Sequence, residues 1–419
     1  MLIHSANQLL TLAGSPQRGV DLGNLGIISN GCVLVRDGEI SAVGTSPALM
    51  AKYPDEPQVD TSGKIVMPGF VDPHTHALWV GDRSAEFEMR IQGKSYLDIL
   101  AAGGGILSTV RATRQASVEQ MAAETRPRLK SMFAHGTTTA EIKSGYGLET
   151  RSELRMLDAI MLLNEEGPIE LASTFLGAHA IAPEFIDNAD GYTDVICSDM
   201  LPKLLSWSEE LHPEKSKPFV DVFCETGAFS LEQSQRILTT ANKLGFPLKI
   251  HADEFDNLGG ASLAADLNAT SADHLVATSP EDITRLAQSD TVAVALPCTP
   301  FGLAETHYTP ARAILDAGGL LALATDINPG TAWCEGMQFA IALACRYLRL
   351  TPAQAISAAT LNAAAAIGRA DRIGSLEAGK QADILILGIP DYHHLGYRFG
   401  TNLVQTVIKQ GQVYHVNKA

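Results

Sequence analysis

The stretch Ile65-Val-Met-Pro-Gly-Phe-Val-Asp-Pro-His-Thr-His76 joins a short apolar run to two imidazoles spaced two residues apart. It reads as a strand, expected over Ile65–His74, whose C-terminal end carries chemistry. The construction recurs along the chain. Further strands are expected at Thr137–Glu141, Ile169–Phe175, Phe219–Cys224, Pro247–His251, Ser271–Leu275, Val292–Leu296 and Leu320–Ala324, separated by helical stretches. Helix starts are marked by Ser117 with Gln120, Thr150 with Glu153 and Ser230 with Gln233, the spacing of a capping box. Ser279 before Pro280 has the N-cap and N1 pattern, and Gly136, Gly167 and Gly245 stand where helices end. Eight β-then-α units predict an α/β fold, a (β/α)8 TIM-like barrel. A doubly wound open sheet is the structural alternative.

The flanks read differently. Cys32-Val-Leu-Val-Arg36 and Glu39-Ile-Ser-Ala-Val43 enclose Asp37-Gly38, a hairpin signal. Ala382-Asp-Ile-Leu-Ile-Leu387, Leu403-Val-Gln-Thr-Val-Ile408 and Val413-Tyr-His-Val416 repeat the pattern at the other end, with a turn at Gln410-Gly411. Chain termini often lie together, so both ends are expected to build one small composite β-sandwich domain. The expected division is 1–65 and 370–419 for the small domain and 66–369 for the barrel. Two late helices, Glu335–Arg349 and Pro352–Ile367, are expected to bridge them.

Bulk properties narrow the function. The chain has 419 residues, 46% hydrophobic and 19% charged, which suits one large and one smaller globular unit. A formal charge of −16 argues against nucleic acid and against anionic lipid as partners, though one local Arg can still bind a small anion. The six cysteines, Cys32, Cys197, Cys224, Cys298, Cys334 and Cys345, include no C-x-x-C pair, so thiolate zinc and a disulfide framework are not expected. No basic-then-apolar leader follows Met1, and no window of ~18 apolar residues occurs. A cytoplasmic protein with reduced thiols and no membrane span is expected.

Barrel enzymes keep their chemistry at the C-terminal ends of the strands. Those ends here read His74-Thr-His76, Lys143-Ser-Gly-Tyr146, Gly177-Ala-His179, His251-Ala-Asp-Glu254, Asp273-His274 and Thr325-Asp326. Period-two spacing puts His74 and His76 on one face of a strand. With His251 and Asp326 they offer three nitrogens and one carboxylate, a set suited to zinc or iron(II). Two histidines on a strand are more often simply packed or solvated; the coincidence of several such strand ends is what favours a metal.

Met67-Pro-Gly-Phe-Val-Asp-Pro-His-Thr-His76 resembles the first-strand motif of the amidohydrolase superfamily, and the β-rich ends are similar to its composite small domain. Within it, segments along nearly the whole chain resemble the imidazolonepropionase family. They are Gly81-Asp-Arg83, Glu88-Met-Arg90, Gly103-Gly-Gly105, Glu141-Ile-Lys-Ser-Gly-Tyr-Gly147, Phe175-Leu-Gly-Ala-His179, His251-Ala-Asp-Glu254, Ser271-Ala-Asp-His274 and Ala324-Thr-Asp-Ile-Asn-Pro-Gly-Thr331. Leu296-Pro-Cys-Thr-Pro-Phe-Gly-Leu303 departs from the family pattern at Cys298 and Pro300, which bears on loop shape rather than on metal ligands. Cys298 is read there as an inert filler.

The resemblance implies that His74, His76, His251 and Asp326 hold one Zn or Fe ion per chain. It implies that Arg83, Tyr146 and His179 meet the substrate, that Asn328, Gly330 and Thr331 bind its other end or the product, and that Glu254 and His274 handle protons. The implied reaction is hydrolysis of the cyclic amide of 4-imidazolone-5-propanoate to N-formimidoyl-L-glutamate in L-histidine degradation. The partners are then a small anionic imidazolone and water, and the resemblance implies a homodimer. Arg83 suits the substrate carboxylate because a guanidinium binds it bidentately. Phe219-Val-Asp-Val-Phe-Cys-Glu225 contains no Lys to bridge a second metal, so a mononuclear site is expected, with Glu225 able to approach it. The rival readings are a mononuclear metal-dependent deaminase of a heterocycle and a non-enzymatic scaffold of the same lineage.

Overall fold

The computed structural model describes residues 1–94, 104–212 and 215–416. Gly103 of the Gly103-Gly-Gly105 segment lies outside the described residues. The start of the chain supplies β1 (Leu2–Leu10), β2 (Ile27–Arg36), β3 (Glu39–Thr45), β4 (Gln58–Asp60) and β5 (Ile65–Pro68). The middle supplies β6 (Phe70–Asp72), β7 (Thr137–Lys143), β8 (Glu170–Ala178), β9 (Phe219–Cys224), β10 (Lys249–Ala252), β11 (Ser271–His274), β12 (Val292–Ala295) and β13 (Leu321–Leu323). The end supplies β14 (Ile384–Leu387), β15 (Val404–Lys409) and β16 (Gln412–His415).

The middle strands run in chain order, β6 to β13, as one parallel eight-stranded sheet with helices between them. This is the expected TIM-like barrel, nearly closed. Asp72 bridges the seam between its first and eighth strands by accepting from Thr325 N at 3.0 Å and Thr325 Oγ1 at 2.5 Å. Just beyond, His76 N donates to Ile327 O at 2.9 Å and Asp326 N to His74 O at 3.2 Å. The first and eighth strand ends, which carry His74, His76 and Asp326, are thereby locked to each other.

Both chain ends share one mostly antiparallel sheet, ordered β16-β15-β14-β5-β1-β2-β3 with β4 beside β1. The expected sandwich is thus built as one continuous sheet, bulged in β1 between Ile3 and Ala6. Its two halves meet where β5 pairs with β14, Ile384 opposite Pro68 through Leu387 opposite Ile65. The hairpin turns Asp37-Gly38 (φ 51° and 82°) and Gln410-Gly411 (φ 49° and 76°) have the paired left-handed conformation that matches strand twist.

Three local expectations change. Ile65–His74 is not one strand but two, because the chain changes sheets at Gly69. Gly69 N bonds to Asp383 O of the end sheet and Phe70 N to Gly136 O of the barrel, at 2.9 and 3.0 Å. A Cβ at Gly69 would stand 2.2 Å from Thr138 Oγ1, so only glycine passes there. Pro352–Ile367 is also two helices, Pro352–Ala358 and Leu361–Ala365, broken at Thr360, whose hydroxyl bonds back to Ile356 O at 2.7 Å. Thr150 and Glu153 form no capping box. Glu149 is the N-cap, and the Glu153 carboxylate instead takes the backbone N–H groups of Gly145, Gly147 and Leu148 at 2.7–2.9 Å. Ser117 accepts from Gln120 N, but the Gln120 side chain turns to Glu124, so of the three expected boxes only Ser230 with Gln233 is reciprocal.

The barrel interior is layered. Its base is apolar, with Val71, Val292, Val294, Ala322 and Ala324 packed on Ala363, Ala364 and Ile367. Above it lies a fully buried ionic layer of Glu141, Lys143, Asp221, Lys249 and Asp273. Lys249 Nζ anchors it below, donating to Pro73 O and Ala366 O, each at 3.1 Å. The histidines sit above this layer.

Candidate metal centre and active site

Four donor atoms converge above the ionic layer. His74 Nε2 lies 3.5 Å from Asp326 Oδ1, and His76 Nε2 lies 3.6 Å from the same oxygen. His251 Nε2 lies 3.3 Å from His76 Nε2. Ligands held tetrahedrally at ~2.1 Å from one ion stand about 3.4 Å apart, so the spacing fits a single four-coordinate metal. His74 Nε2 and Asp326 Oδ1 are buried without a hydrogen-bond partner among the described residues. Bare lone pairs facing one another in a dry site are repulsive unless a cation lies between them. Burial also pushes His74 and His76 well below the usual imidazole range, leaving the neutral rings that metal ligation requires. The residues present therefore fit a metal ion. Two candidate groups, His74–His76–Asp326 and His74–His251–His274, share His74, so His274 also stands within reach of the donor cluster.

Buried carboxylates and a hydroxyl stand behind three of these four side chains, and His76 Nδ1 has no hydrogen-bond partner among the described residues. His74 Nδ1 is hydrogen-bonded to Asp273 Oδ2 at 2.6 Å, whereas His251 Nδ1 lies 3.1 Å from Asp221 Oδ2 without hydrogen-bond geometry. A carboxylate at Nδ1 takes that ring's proton and frees Nε2 for a metal. Thr299 Oγ1 donates to Asp326 Oδ2, which turns Oδ1 toward the centre. Asp326, His274, Leu275 and Asp253 all have φ between 54° and 79°. Left-handed backbone at non-glycine residues is costly and concentrates at functional sites.

A cavity of about 500 Å³ opens over the centre and is lined by His76, Arg83, Tyr146, His179, His251, Glu254, His274, Asp326, Asn328, Gly330 and Thr331. Every residue singled out in the sequence is here except His74, which lies beneath it, fully buried. Arg83 donates through Nε to Glu86 Oε2 at 2.9 Å, and among the described residues its Nη groups have no hydrogen-bond partner. The guanidinium lies against Gly330, where a Cβ would stand 2.7 Å from Arg83 Nη1. His179 Nδ1 donates to Gly145 O at 3.0 Å, so its Nε2 faces the cavity as an acceptor. Burial lowers the His179 pKa to about 3 and raises that of the Tyr146 phenol, which stays a donor. Burial, reinforced by Asp326 and Glu225, raises Glu254 well above the carboxylate range, and Glu254 Oε1 is 3.6 Å from His274 Nδ1.

Two expectations shift in detail. The Asn328 amide is satisfied within its own loop, donating to Asp326 O and Thr331 Oγ1 and accepting from Gly330 N and Thr331 N, at 2.8–2.9 Å. Glu225 does not reach the metal donors. Its two oxygens accept from Thr226 N, Phe255 N and Asp256 N at 2.8–3.3 Å and so fasten the loop that carries Glu254.

Asp221, Asp273, Lys143 and Thr299 were given no role in the sequence, Lys143 and Asp273 standing there only as strand-end residues. A signal was available for three of them: charged side chains in strand positions otherwise occupied by apolar residues, which a barrel interior tolerates only when paired. Thr299 carried none, sitting in the segment whose sequence departs from the family pattern.

A profile of the Amidohydrolase family matches residues 228–414. The chain is 52% identical over 417 residues to an imidazolonepropionase of Herpetosiphon aurantiacus, covering 100% of this chain and 97% of that protein. It is 48% identical over 422 residues to an imidazolonepropionase of Chloroflexus aggregans, covering 100% and 99%. Among solved structures, a guanine deaminase from E. coli superposes with a TM-score of 0.70 at 17% identity, covering 99% of each chain. An adenosine deaminase from Xanthomonas campestris with bound zinc superposes with a TM-score of 0.70 at 20% identity, covering 98% of this chain and 92% of that one. At those identities the structural likeness shows a shared fold. Full-length identity near one half shows more, and the chain belongs to the imidazolonepropionase family of the amidohydrolases.

Proposed function

We propose that this chain hydrolyses the ring amide of 4-imidazolone-5-propanoate to N-formimidoyl-L-glutamate, a step of L-histidine degradation. The observation that carries the reading is one cavity that opens both over the His74, His76, His251 and Asp326 donor atoms and onto the Arg83 guanidinium, whose Nη groups have no hydrogen-bond partner among the described residues. Three imidazoles and a carboxylate suit one Zn2+ or Fe2+ ion, held by His74, His76, His251 and Asp326. When bound, such an ion supplies Lewis acidity and a water acidic enough to react near neutral pH.

The chain's own groups do the rest. Arg83 binds the propanoate through its Nη atoms, and Gly330 leaves the room it needs. Asn328 and Thr331 hold the loop beneath it. Asp326 accepts the attacking water's proton at Oδ2, beside the Thr299 hydroxyl. His274 orients that water and stabilises the oxyanion forming on the ring carbonyl. Tyr146 donates to the substrate and His179 Nε2 accepts a ring N–H. Glu254, protonated in its buried setting, gives its proton to the ring nitrogen as the C–N bond breaks. These steps leave water's proton on Asp326 and Glu254 ionised; return of that proton to Glu254 through solvent closes the cycle, with a net gain of hydroxyl at the carbonyl carbon and hydrogen at the nitrogen.

Product analysis tests the reading. Ring opening keeps both nitrogens in the organic product, whereas the deaminase alternative liberates ammonia. The division into a barrel and a composite small domain is also proposed, with the first boundary moved from 65/66 to Gly69, since Ile65–Pro68 pairs with the end sheet. A homodimer and a cytoplasmic location complete the proposal. Among the described residues no helix is long and apolar enough to cross a membrane. Sedimentation velocity and cell fractionation test these two points.

A further inference from the structure

Lys143 does not line the cavity, and its side chain is fully buried. Its Nζ nevertheless lies 2.8 Å from Asp221 Oδ2, 3.8 Å from Asp273 Oδ2 and 2.8 Å from Glu141 Oε1. The two aspartate oxygens are the ones that meet the metal-site histidines. Asp221 Oδ2 faces His251 Nδ1 and Asp273 Oδ2 faces His74 Nδ1. The third arm ends on the same strand end, because Glu141 Oε2 accepts the backbone N–H of Thr75, between His74 and His76, at 3.1 Å. We infer that Lys143 is the positioning residue of the metal centre, a single ammonium that holds three carboxylates so that His74, His76 and His251 point at one place.

The physics requires such a charge. Three carboxylates crowded into a dry core repel one another, and a lone buried carboxylate is strongly destabilised. Lys249 stands equally far from Asp273, at 3.8 Å, but among the described residues it forms no ion pair with Asp221 or Glu141 and donates to the carbonyls of Pro73 and Ala366, so Lys143 is the ammonium that joins all three carboxylates. Burial would strip the proton from Lys143, but Asp221, Glu141 and Asp273 outweigh burial and hold the ammonium charged. Without that charge the carboxylates must spread apart or take up protons. Either change turns the imidazole rings they hold and disperses the donor atoms.

The inference rests on the metal-centre reading of the site but not on the identity of the substrate. The test is metal affinity of purified full-length protein, titrated as apoenzyme with Zn2+ against a chromophoric chelator. Wild type should bind one equivalent, and failure to do so would overturn the metal reading itself. Lys143→Met should weaken binding by about 10–100-fold, the usual cost of losing a group that orients a ligand. Turnover should recover when excess metal is added. A folded Lys143→Met protein that binds Zn2+ within about twofold of wild type would overturn the inference while leaving the metal centre intact. Lys143→Gln serves the same purpose if the methionine variant does not fold. A cycle of Asp221→Asn and Asp273→Asn gives an answer with Lys143 in place. Coupling through one ammonium predicts a double-variant loss smaller than the product of the single losses, and independent losses would contradict it.

Discussion

At the N-terminal end of the barrel, Glu170 takes Arg369 at 2.7 Å and Lys409 at 3.4 Å, Lys409 also reaches Asp383 at 2.7 Å, and Gln381 bonds to both carboxylates. None of these groups appears among the buried polar atoms left without a partner. At the C-terminal end, His74 Nε2, His76 Nδ1, Asp221 Oδ1, Asp273 Oδ1 and Asp326 Oδ1 are all buried and lack hydrogen-bond partners among the described residues. The charged groups at the joint with the end sheet are thus paired with one another, although the Thr137 and Ser271 hydroxyls at that end are not, while charged and ring atoms at the mouth are left unpaired among the described residues. Paired charges hold the two units together; the unpaired ones suit the proposed metal and substrate. Substitutions at the two ends should separate stability from function.

The largest effect belongs to the mouth. His74→Ala or Asp326→Ala should remove both the metal and turnover while the melting temperature of the apoprotein stays near wild type. Elemental analysis together with calorimetry checks this, and two equivalents of metal in active wild type would contradict a mononuclear centre. Next is Glu254→Gln, which keeps the shape but carries no transferable proton. Its kcat should fall by ~10²–10⁴ with normal metal content. Near-normal turnover at full metal occupancy would exclude Glu254 as the proton donor.

Arg83→Ala should cost ~2–5 kcal/mol in kcat/KM, and Arg83→Lys should recover part of it, since an ammonium lacks the fork. Unchanged kcat/KM with imidazolonepropanoate would sink that assignment. The smallest effect, and the one of opposite kind, belongs to the joint. Burial acts to raise the Glu170 pKa, but Lys409 and Arg369 outweigh it and bring the carboxyl to about 2. A depressed folded-state pKa stabilises the protein above the unfolded value. That contribution, at most about 3 kcal/mol, should fade as pH falls from about 4.5 toward 2. Glu170→Gln should lower stability at neutral pH, soften the acid limb of the stability profile and leave metal content and kcat unchanged. Urea melts across that pH range measure it.

The barrel strands were legible in the sequence because each is a short apolar run bounded by a helix start signal. The candidate metal ligands were legible because four residues of a suitable type stand at strand ends. What could not be read was anything decided by proximity across the barrel. Asp221 and Asp273 orient histidines on neighbouring strands or across the barrel, and Lys143 reaches both. Glu153 has the spacing of a helix cap, yet its carboxylate is captured by the Gly145–Leu148 loop. Asn328 has the look of a ligand-binding amide, yet its own loop uses both ends. The break at Gly69 depends on Thr138, a residue far away in the chain. Local periodicity carries no information about these contacts.

The most direct measurement is product analysis by mass spectrometry and ammonia assay, with metal-loaded enzyme and 4-imidazolone-5-propanoate. The geometry of Arg83, the metal donors and Glu254 predicts a single product that has gained one water and kept every nitrogen, N-formimidoyl-L-glutamate, with no free ammonia. Release of ammonia in step with substrate loss, or no reaction at full metal occupancy, would contradict it.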